Sequence, residues 1–491
     1  MIIARLLAAA ATAAGLIAWV VFLSAGMVLS HYDAKAHLVV ARRVIDSITP
    51  GWTQIGAVWL PLPHLLQILP TQIDIFYRTG AFGSWLSIAC FGVTAYAAAR
   101  LVLAITGSGL AAMTSTALLA LNPNLLYLQS TPMTEPMLLA VTFLAVLWMY
   151  EWVVTNEDAV PVRLGVILFA ATWTRYEAWA VVCAAMAAAH YAAWRRHVPF
   201  TSIARRAWNL GVWPAGAVLL FLILSKLTVG SWFVTGGFYV PDPHYQGRAL
   251  RSLIAVWWGT HQLSTMTTEL LALVGVAVVA VRAIASRTDA PLLVPLSLLA
   301  AGILPFVAFY GGHPFRVRYM IPMVAAAALF GGLLVGFLRR DKLSSHAATA
   351  LVSVMIGITL IQSPPWRQDA PMLLEARWDQ PLSAGRRAVT ACLAGGYKGE
   401  KVLASMASLA HYMQELSHEG FAIADFVHEG NGVIWTLAIE AGPARSVGWM
   451  LVEEEAEGGD TLATRIRRDP AFVSGMERVC EGGGVALYKR L

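Results

Sequence analysis

Charge is what this chain has least of. Of its 491 residues, 13% are Asp, Glu, Lys or Arg against 58% hydrophobic, and mean hydropathy is +0.62. Soluble domains carry about a quarter charged residues, so this composition excludes an ordinary water-soluble globule and implies a multi-span membrane protein. Cysteine is scarce too: four residues exclude a disulfide framework, and none has zinc-site spacing. Cys90 and Cys183 fall in apolar runs and read as packing residues, while Cys392 and Cys480 fall in a polar tail, where a disulfide between them and two free thiols are both open. A glycine-rich nucleotide loop, a Ser-His-Asp arrangement and nucleic-acid motifs are all missing. The net charge of +6 comes largely from arginines in short connections and points to an anionic membrane surface.

What is there is apolar length. Runs able to cross about 30 Å of hydrocarbon as helix recur from Leu6 to Gln362 and then stop. The spans fall near 8–29, 82–105, 110–128, 136–154, 164–173, 177–191, 210–228, 263–281, 292–309, 319–337 and 347–361, about eleven in all. The first is too long in its apolar core, and lacks a small-x-small site, for a cleaved signal peptide. With the N-terminus cytoplasmic, the basic connections 194–208, 282–287 and 339–342 lie inside. Segments 30–80, 130–135, 229–262, 311–318 and everything after Gln362 then face outward. The chain thus divides into a transmembrane module, 1–362, and a soluble extracytoplasmic domain, 363–491. In the latter, short apolar runs at 401–405, 421–426, 446–454 and 484–491 alternate with helix-like stretches at 404–417 and 462–472, which predicts a small α/β fold. Many Ala and Arg with few Lys hint at a bacterial plasma membrane.

Polar residues gather at the outward face. Ser30 and Asp33 form a Ser-x-x-Asp helix start, after which Leu38, Ala41, Val44, Ile45 and Ile48 recur at helical spacing, with Lys35, Arg42, Arg43 and Asp46 opposite. This pattern predicts an amphipathic helix on the membrane surface, with Asp33 and His37 on one side. A second short helix, bracketed by Pro61, Pro63 and Pro70, carries Trp52, Trp59 and His64; the tryptophans suit headgroup anchoring or a sugar pocket. "STPMTEP" puts Glu135 at a helix start. "TWTRYEAW" places Arg175, Tyr176 and Glu177 between apolar segments, and "YGGHPFRVRYMIP" places His313, Arg316, Arg318 and Tyr319 just before a span. Ionisable residues this close to hydrocarbon are functional candidates, though each also has a plain reading as cap, dipole partner, ion pair or snorkelling side chain.

Carboxylate, histidine and clustered arginine at a lipid-facing rim suit a substrate with a phosphate head and an isoprenoid tail: the cations would hold the phosphate, and a carboxylate would take a proton from an acceptor hydroxyl. The order of these motifs resembles the GT-C class of lipid-linked-sugar glycosyltransferases, in the branch of protein O-mannosyltransferases and the aminoarabinose transferase of lipid A. "HYDAKAHLVVARRVIDSITPG" is similar to the family's first-loop acidic motif, "TEP" to its second-loop acid, "TRYE" to its turn between spans and "RVRYMIP" to its RYLLP-like helix start. The resemblance covers essentially the whole chain. It implies Asp33 as catalytic base, Glu135 as an assisting acid, and inversion at the anomeric carbon. Where members often pair acids, Asp33 is followed by Ala34 and Lys35, so Lys35 becomes a phosphate ligand and a bridging metal is not indicated; no cofactor is required.

Candidate donor-phosphate residues are therefore Lys35, Arg175, His313, Arg316, Arg318 and Tyr319, and candidate pocket residues are His37, Trp59, His64, Tyr176, Glu177 and His244. The expected partners are the bilayer, a polyprenyl-phosphate-linked sugar and an extracytoplasmic acceptor, without nucleic acid. Two other classes stay open. A secondary transporter or flippase would normally show related halves, and no internal repeat is evident here. A non-catalytic assembly protein would act through its tail.

Overall fold

The structure is a computed structural model that describes residues 1–234, 239–341, 343–406, 410–455 and 459–491. The predicted connection 229–262 includes 235–238, the basic connection 339–342 includes Lys342, and the predicted helix 404–417 includes 407–409; these positions lie outside the described residues. The molecule is mostly helical (70%). By contact it separates into one unit made of Met1–Ala25, Ser84–Phe221 and Pro243–Glu375, and another made of Gly26–Gly83, Leu222–Asp242 and Ala376–Leu491.

The first unit is helical, and most of the helices long and apolar enough to cross a membrane belong to it. Among the described residues there are eight such helices in the whole chain: Ile2–Ser24, Ala81–Thr106, Glu135–Thr155, Phe200–Val229, Met266–Ala285, Ala290–Tyr310, Val317–Arg339 and Ser345–Gln362. The expected eleven are reduced for identifiable reasons. The run expected at 110–128 breaks at Asn122, whose side-chain oxygen caps a new turn beginning at Pro123, leaving the twelve-residue helix Gly109–Ala120 and a short Pro123–Leu128. The run at 164–173 forms Val162–Thr172, eleven residues and too short to span. Glu177–Arg195 is a 19-residue helix, but its Ala-rich stretch is less apolar than the eight.

Burial ranks the spans. Val317–Arg339 is 89% buried, whereas Ile2–Ser24 is 11% and Ser345–Gln362 is 17% buried, so the first is the axis of the unit and the other two offer their apolar flanks to lipid. Around that axis packing relies on small residues: a Cβ at Gly275 would overlap the Phe330 carbonyl.

The second unit is built on a five-stranded sheet: β1 Val402–Ala404, β2 Phe426–Val427, β3 Trp449–Glu453, β4 Met476–Gly482 and β5 Val485–Arg490, in the order β2-β1-β3-β5-β4. β1 runs parallel to β2 and β3, while β5 is antiparallel to β3 and β4. Gly483 and Gly484, both at positive φ, supply the two-residue hairpin that joins β4 to β5. Alternation sends Val402, Ala404, Trp449, Leu451, Val485 and Leu487 to one face, and Leu403, Met450, Val452, Ala486 and Tyr488 to the other.

The first loop covers one of those faces. The helix Tyr32–Arg42 buries Ala36, Leu38 and Val39 against the Val402 and Leu451 side of the sheet, beside Tyr77, Tyr412 and Phe426. This corrects the reading of an amphipathic helix at a membrane surface: its buried residues run almost unbroken from Ala34 to Ala41, and the helix ends at Arg42 instead of continuing through Ile48. Its cap is also one residue later than expected, His31 Nδ1 accepting from the Asp33 amide at 3.1 Å. The polar residues assigned to a wet face are tethers. Arg42 pairs with Asp46 and Asp74, both at 2.8 Å, and Asp46 accepts the Ile423 and Ala424 amides.

Cys392, on the helix Ser383–Gly396, is bonded to Cys480 on β4 across 88 residues. Closing a loop of that size removes about 4 kcal/mol of denatured-state entropy. Reducing the purified chain, or replacing both cysteines by serine, should lower the thermal midpoint of the sheet unit, read by near-UV circular dichroism; an unchanged midpoint would show that the bond adds nothing.

Candidate functional site

The sequence-derived candidates divide between the units. Glu135, Arg175, Tyr176, Glu177, His244, His313, Arg316, Arg318 and Tyr319 lie in the helical unit; Asp33, Lys35, His37, Trp59 and His64 lie in the sheet unit.

In the helical unit the candidates converge on two guanidiniums. Glu135 is the first residue of Glu135–Thr155 and Glu177 the first of Glu177–Arg195, so each carboxylate sits at the positive end of a helix dipole. Arg175 precedes the second helix and is not constrained by its i, i+2 geometry, so it folds back: its Nη2 lies 2.6 Å from Glu177 Oε1, and its Nη1 lies 3.0 Å from Glu135 Oε1 and 2.9 Å from Thr134 Oγ1. Arg318 Nε stands 3.5 Å from the same Glu135 oxygen. Its Nη1 reaches Glu375 Oε1 at 3.4 Å, and the other Glu375 oxygen accepts the Val317 amide at 2.7 Å.

Three carboxylates therefore surround two arginines, in a place where Glu135 is 1% exposed. The Glu135 oxygens are ion-paired, yet among the described residues neither accepts an aligned hydrogen bond. Glu375 was not among the sequence candidates. It sits in "APMLLEAR", just after the last span, and its acidic character alone did not separate it from other tail carboxylates.

Beside this cluster runs an aromatic row. Tyr319 Oη meets His313 Nε2 at 3.2 Å, the Arg318 guanidinium lies 5.4 Å from the Tyr319 ring centre, and Phe309 stacks on both Phe315 and Tyr319. His313 Nδ1 is 2.8 Å from the Pro314 carbonyl, so it carries a proton there and Nε2 accepts from the tyrosine when the ring is neutral. Arg316 and His313 are half-buried. Tyr176 packs edge-on against Trp179 and Phe221, and His244 against Tyr245 with Arg251 at 3.4 Å, so both sit among aromatic rings.

In the sheet unit, Asp33 stands half-buried in the first turn of Tyr32–Arg42. Lys35 forms an ion pair with Glu415 at 2.6 Å, and Glu415 also meets Arg386, which is itself bound to Asp379. His37, Trp59 and His64 come together: His64 Nδ1 faces the Leu60 carbonyl at 3.3 Å and so bears the proton, which leaves its Nε2 to accept from His37 Nδ1 at 3.0 Å. Trp59 stacks on His64 with rings 20° apart. The proline-bracketed helix is only Leu62–Leu65. Among the described residues no group of three or more His, Cys, Asp or Glu is arranged to hold a metal ion.

No protein-family model matches this chain, and no curated protein matches it.

Two of the buried histidines of the sheet unit, His64 and His428, are held neutral. Burial, with the Arg43 charge nearby, brings His64 down to about 4 and His428 down to about 3. Their unfolded values near 6.5 are higher, so as pH falls from 6.5 the unfolded chain takes up protons that the folded unit refuses. The stability they allow is complete above pH 6.5 and is lost as pH drops toward 4, on the order of 3 kcal/mol for each. The thermal midpoint should therefore fall steeply over that window, and His64→Gln should remove part of the slope; a flat profile would contradict it.

Removing Arg175 tests the other cluster. Arg175→Met leaves Glu135 and Glu177 without their shared cation and should cost about 3–5 kcal/mol. Glu177→Gln in the same chain should recover part of the loss, measured as detergent-extracted yield and melting temperature.

Proposed function

We propose that this chain is an integral-membrane glycosyltransferase of GT-C type, moving a sugar from a polyprenyl-phosphate donor to an extracytoplasmic acceptor. The observation that carries the reading is the set of ionisable side chains held at the starts of hydrocarbon-length helices: Glu135 at the head of Glu135–Thr155, and Arg316, Arg318 and His313 at the head of Val317–Arg339. Charge placed there is costly and marks a boundary at which a lipid tail can lie among helices while its phosphate meets cations.

In the reaction, the Asp33 carboxylate takes the acceptor hydroxyl proton as the oxygen attacks the anomeric carbon. The bond from that carbon to the phosphate oxygen breaks on the opposite side, giving inversion, and the polyprenyl phosphate leaves with the electron pair. Arg316 and His313 receive its charge. Arg318 and Arg175 are already enclosed by carboxylates, so they serve chiefly to hold Glu135, whose oxygens have no aligned donor and suit an acceptor hydroxyl. Tyr319 orients His313. Within the sheet unit, Trp59, His37 and His64 form an aromatic and imidazole group that a sugar could meet.

The test is transfer by the purified full chain from labelled polyprenyl-phosphate sugars. Asp33→Asn keeps the size of the side chain, removes the base, and should lower the rate by about 10²–10⁴-fold. Transfer at the wild-type rate by that variant would remove the proposed base. Accumulation of substrate in proteoliposomes without a covalent product would replace the enzyme with a transporter.

A further inference from the structure

Wholly within the helical unit lies a cavity of about 590 Å³ that the proposed reaction does not use. One wall is the end of the helix Ala249–Leu263, with Trp258, His261 and Gln262, and the turn Ser264–Thr265 leading to Met266. The other is Gln362 with the segment that follows it, contributing Arg367, Asp369 and Leu374. Met266–Ala285 begins at this cavity and Ser345–Gln362 ends at it, so its mouth lies where two membrane-length helices reach the same boundary.

The chemistry of the walls is selective. Trp257 and Trp258 are 57% and 46% exposed, and both ring systems lie against His261, at 5.7 and 5.5 Å. The basic side chains are already partnered: His261 Nδ1 is 2.8 Å from Glu269 Oε2, and Arg367 grips Asp369 with two bonds of 2.8 and 2.9 Å. Among the described residues no unpartnered basic side chain lines the cavity, which argues against a phosphate or another anion. What remains is an exposed indole and a rim of amides and hydroxyls. Gln362 Oε1 accepts both the Thr267 amide and its hydroxyl, which leaves the side-chain NH₂ as its donor. An apolar flat face beside paired donors and acceptors complements a pyranose, whose ring hydrogens form a hydrophobic patch and whose hydroxyls project around it. The volume is that of an ordinary small-ligand site.

We infer that the cavity between Trp258, His261, Gln262 and Gln362 is a binding site for an uncharged saccharide. The inference rests on these walls and not on the transfer reaction; if that reaction holds, the cavity is a place for the acceptor's sugar. The other account of the tryptophans is anchoring at the headgroup layer, which would need no cavity and no Gln262.

The experiment uses the full chain in lipid nanodiscs and saturation-transfer NMR with methyl glycosides of glucose, galactose, mannose, N-acetylglucosamine and arabinose. At least one glycoside should bind, its Kd should rise tenfold or more in Trp258→Ala and in Gln262→Ala, and inorganic phosphate should not displace it. Gln262 is a partly exposed side chain, so its variant keeps the test sound if the tryptophan variant fails to fold. Binding by no glycoside, equal binding by the Gln262→Ala chain, or displacement by phosphate would overturn the proposal. Asp33→Asn should bind the glycoside as wild type does, so loss of transfer and loss of this site are read separately.

Discussion

The buried pairing of Arg175 with Glu135 and Glu177 is the constraint on which the helical unit depends. An isolated charge among apolar helices costs several kcal/mol, and attraction offsets that only when partners are close and fixed. Here each partner is fixed by a helix terminus. Glu135 and Glu177 open their helices, so each carboxylate meets both a helix dipole and a cation, and Arg175 gains its reach from lying just outside the second helix. Arg318 then joins through the shared Glu135 oxygen, and Glu375 binds both its guanidinium and the neighbouring backbone amide. The ends of four chain segments are thereby held by one set of charges.

The sheet unit meets the same problem differently. Its buried polar groups are mostly neutral or capped: His428 Nδ1 accepts the Gly430 amide, the Gln54 amide donates to Thr49 and Gly430, and Glu429 takes the Ser405 hydroxyl and the Met406 amide. His64 stays uncharged because it is buried near Arg43, and its neutral form is what allows the chain of bonds from His37 to Leu60. Ion pairs occur both at the edges, as in Arg42 with Asp74, and inside, where Arg386 holds Asp379 at 2.8 Å.

Much of this was legible from residues alone, and the failures have physical causes. Uninterrupted apolar length located most of the long helices within a few residues, because backbone groups in hydrocarbon leave no other solution, although Phe200–Val229 begins ten residues before the expected start at 210. Glu135 at a helix start and Arg175 between helices were also readable, since Pro136 and the polar "TRYE" mark the breaks. The Tyr32–Arg42 helix was placed correctly in sequence and wrongly in environment. Lys35 and Arg42 signal solvent in any periodicity argument, yet their partners Glu415 and Asp74 lie 380 and 32 positions away, and such pairings leave no local trace. β4 was missed because its inner-to-outer alternation is polar, "MERVCEG", as befits an edge strand. The choice between a disulfide and free thiols at Cys392 and Cys480 needed the tertiary pairing of a helix with that same strand.

Charge compensation also narrows what the arginines can do. A phosphate that approached Arg175 would have to displace Glu135 or Glu177 from contacts of 3.0 and 2.6 Å, and the displaced carboxylate would remain buried beside the new anion. That exchange replaces one pairing with another and adds a like-charge repulsion, so it is uphill unless a proton enters with the phosphate.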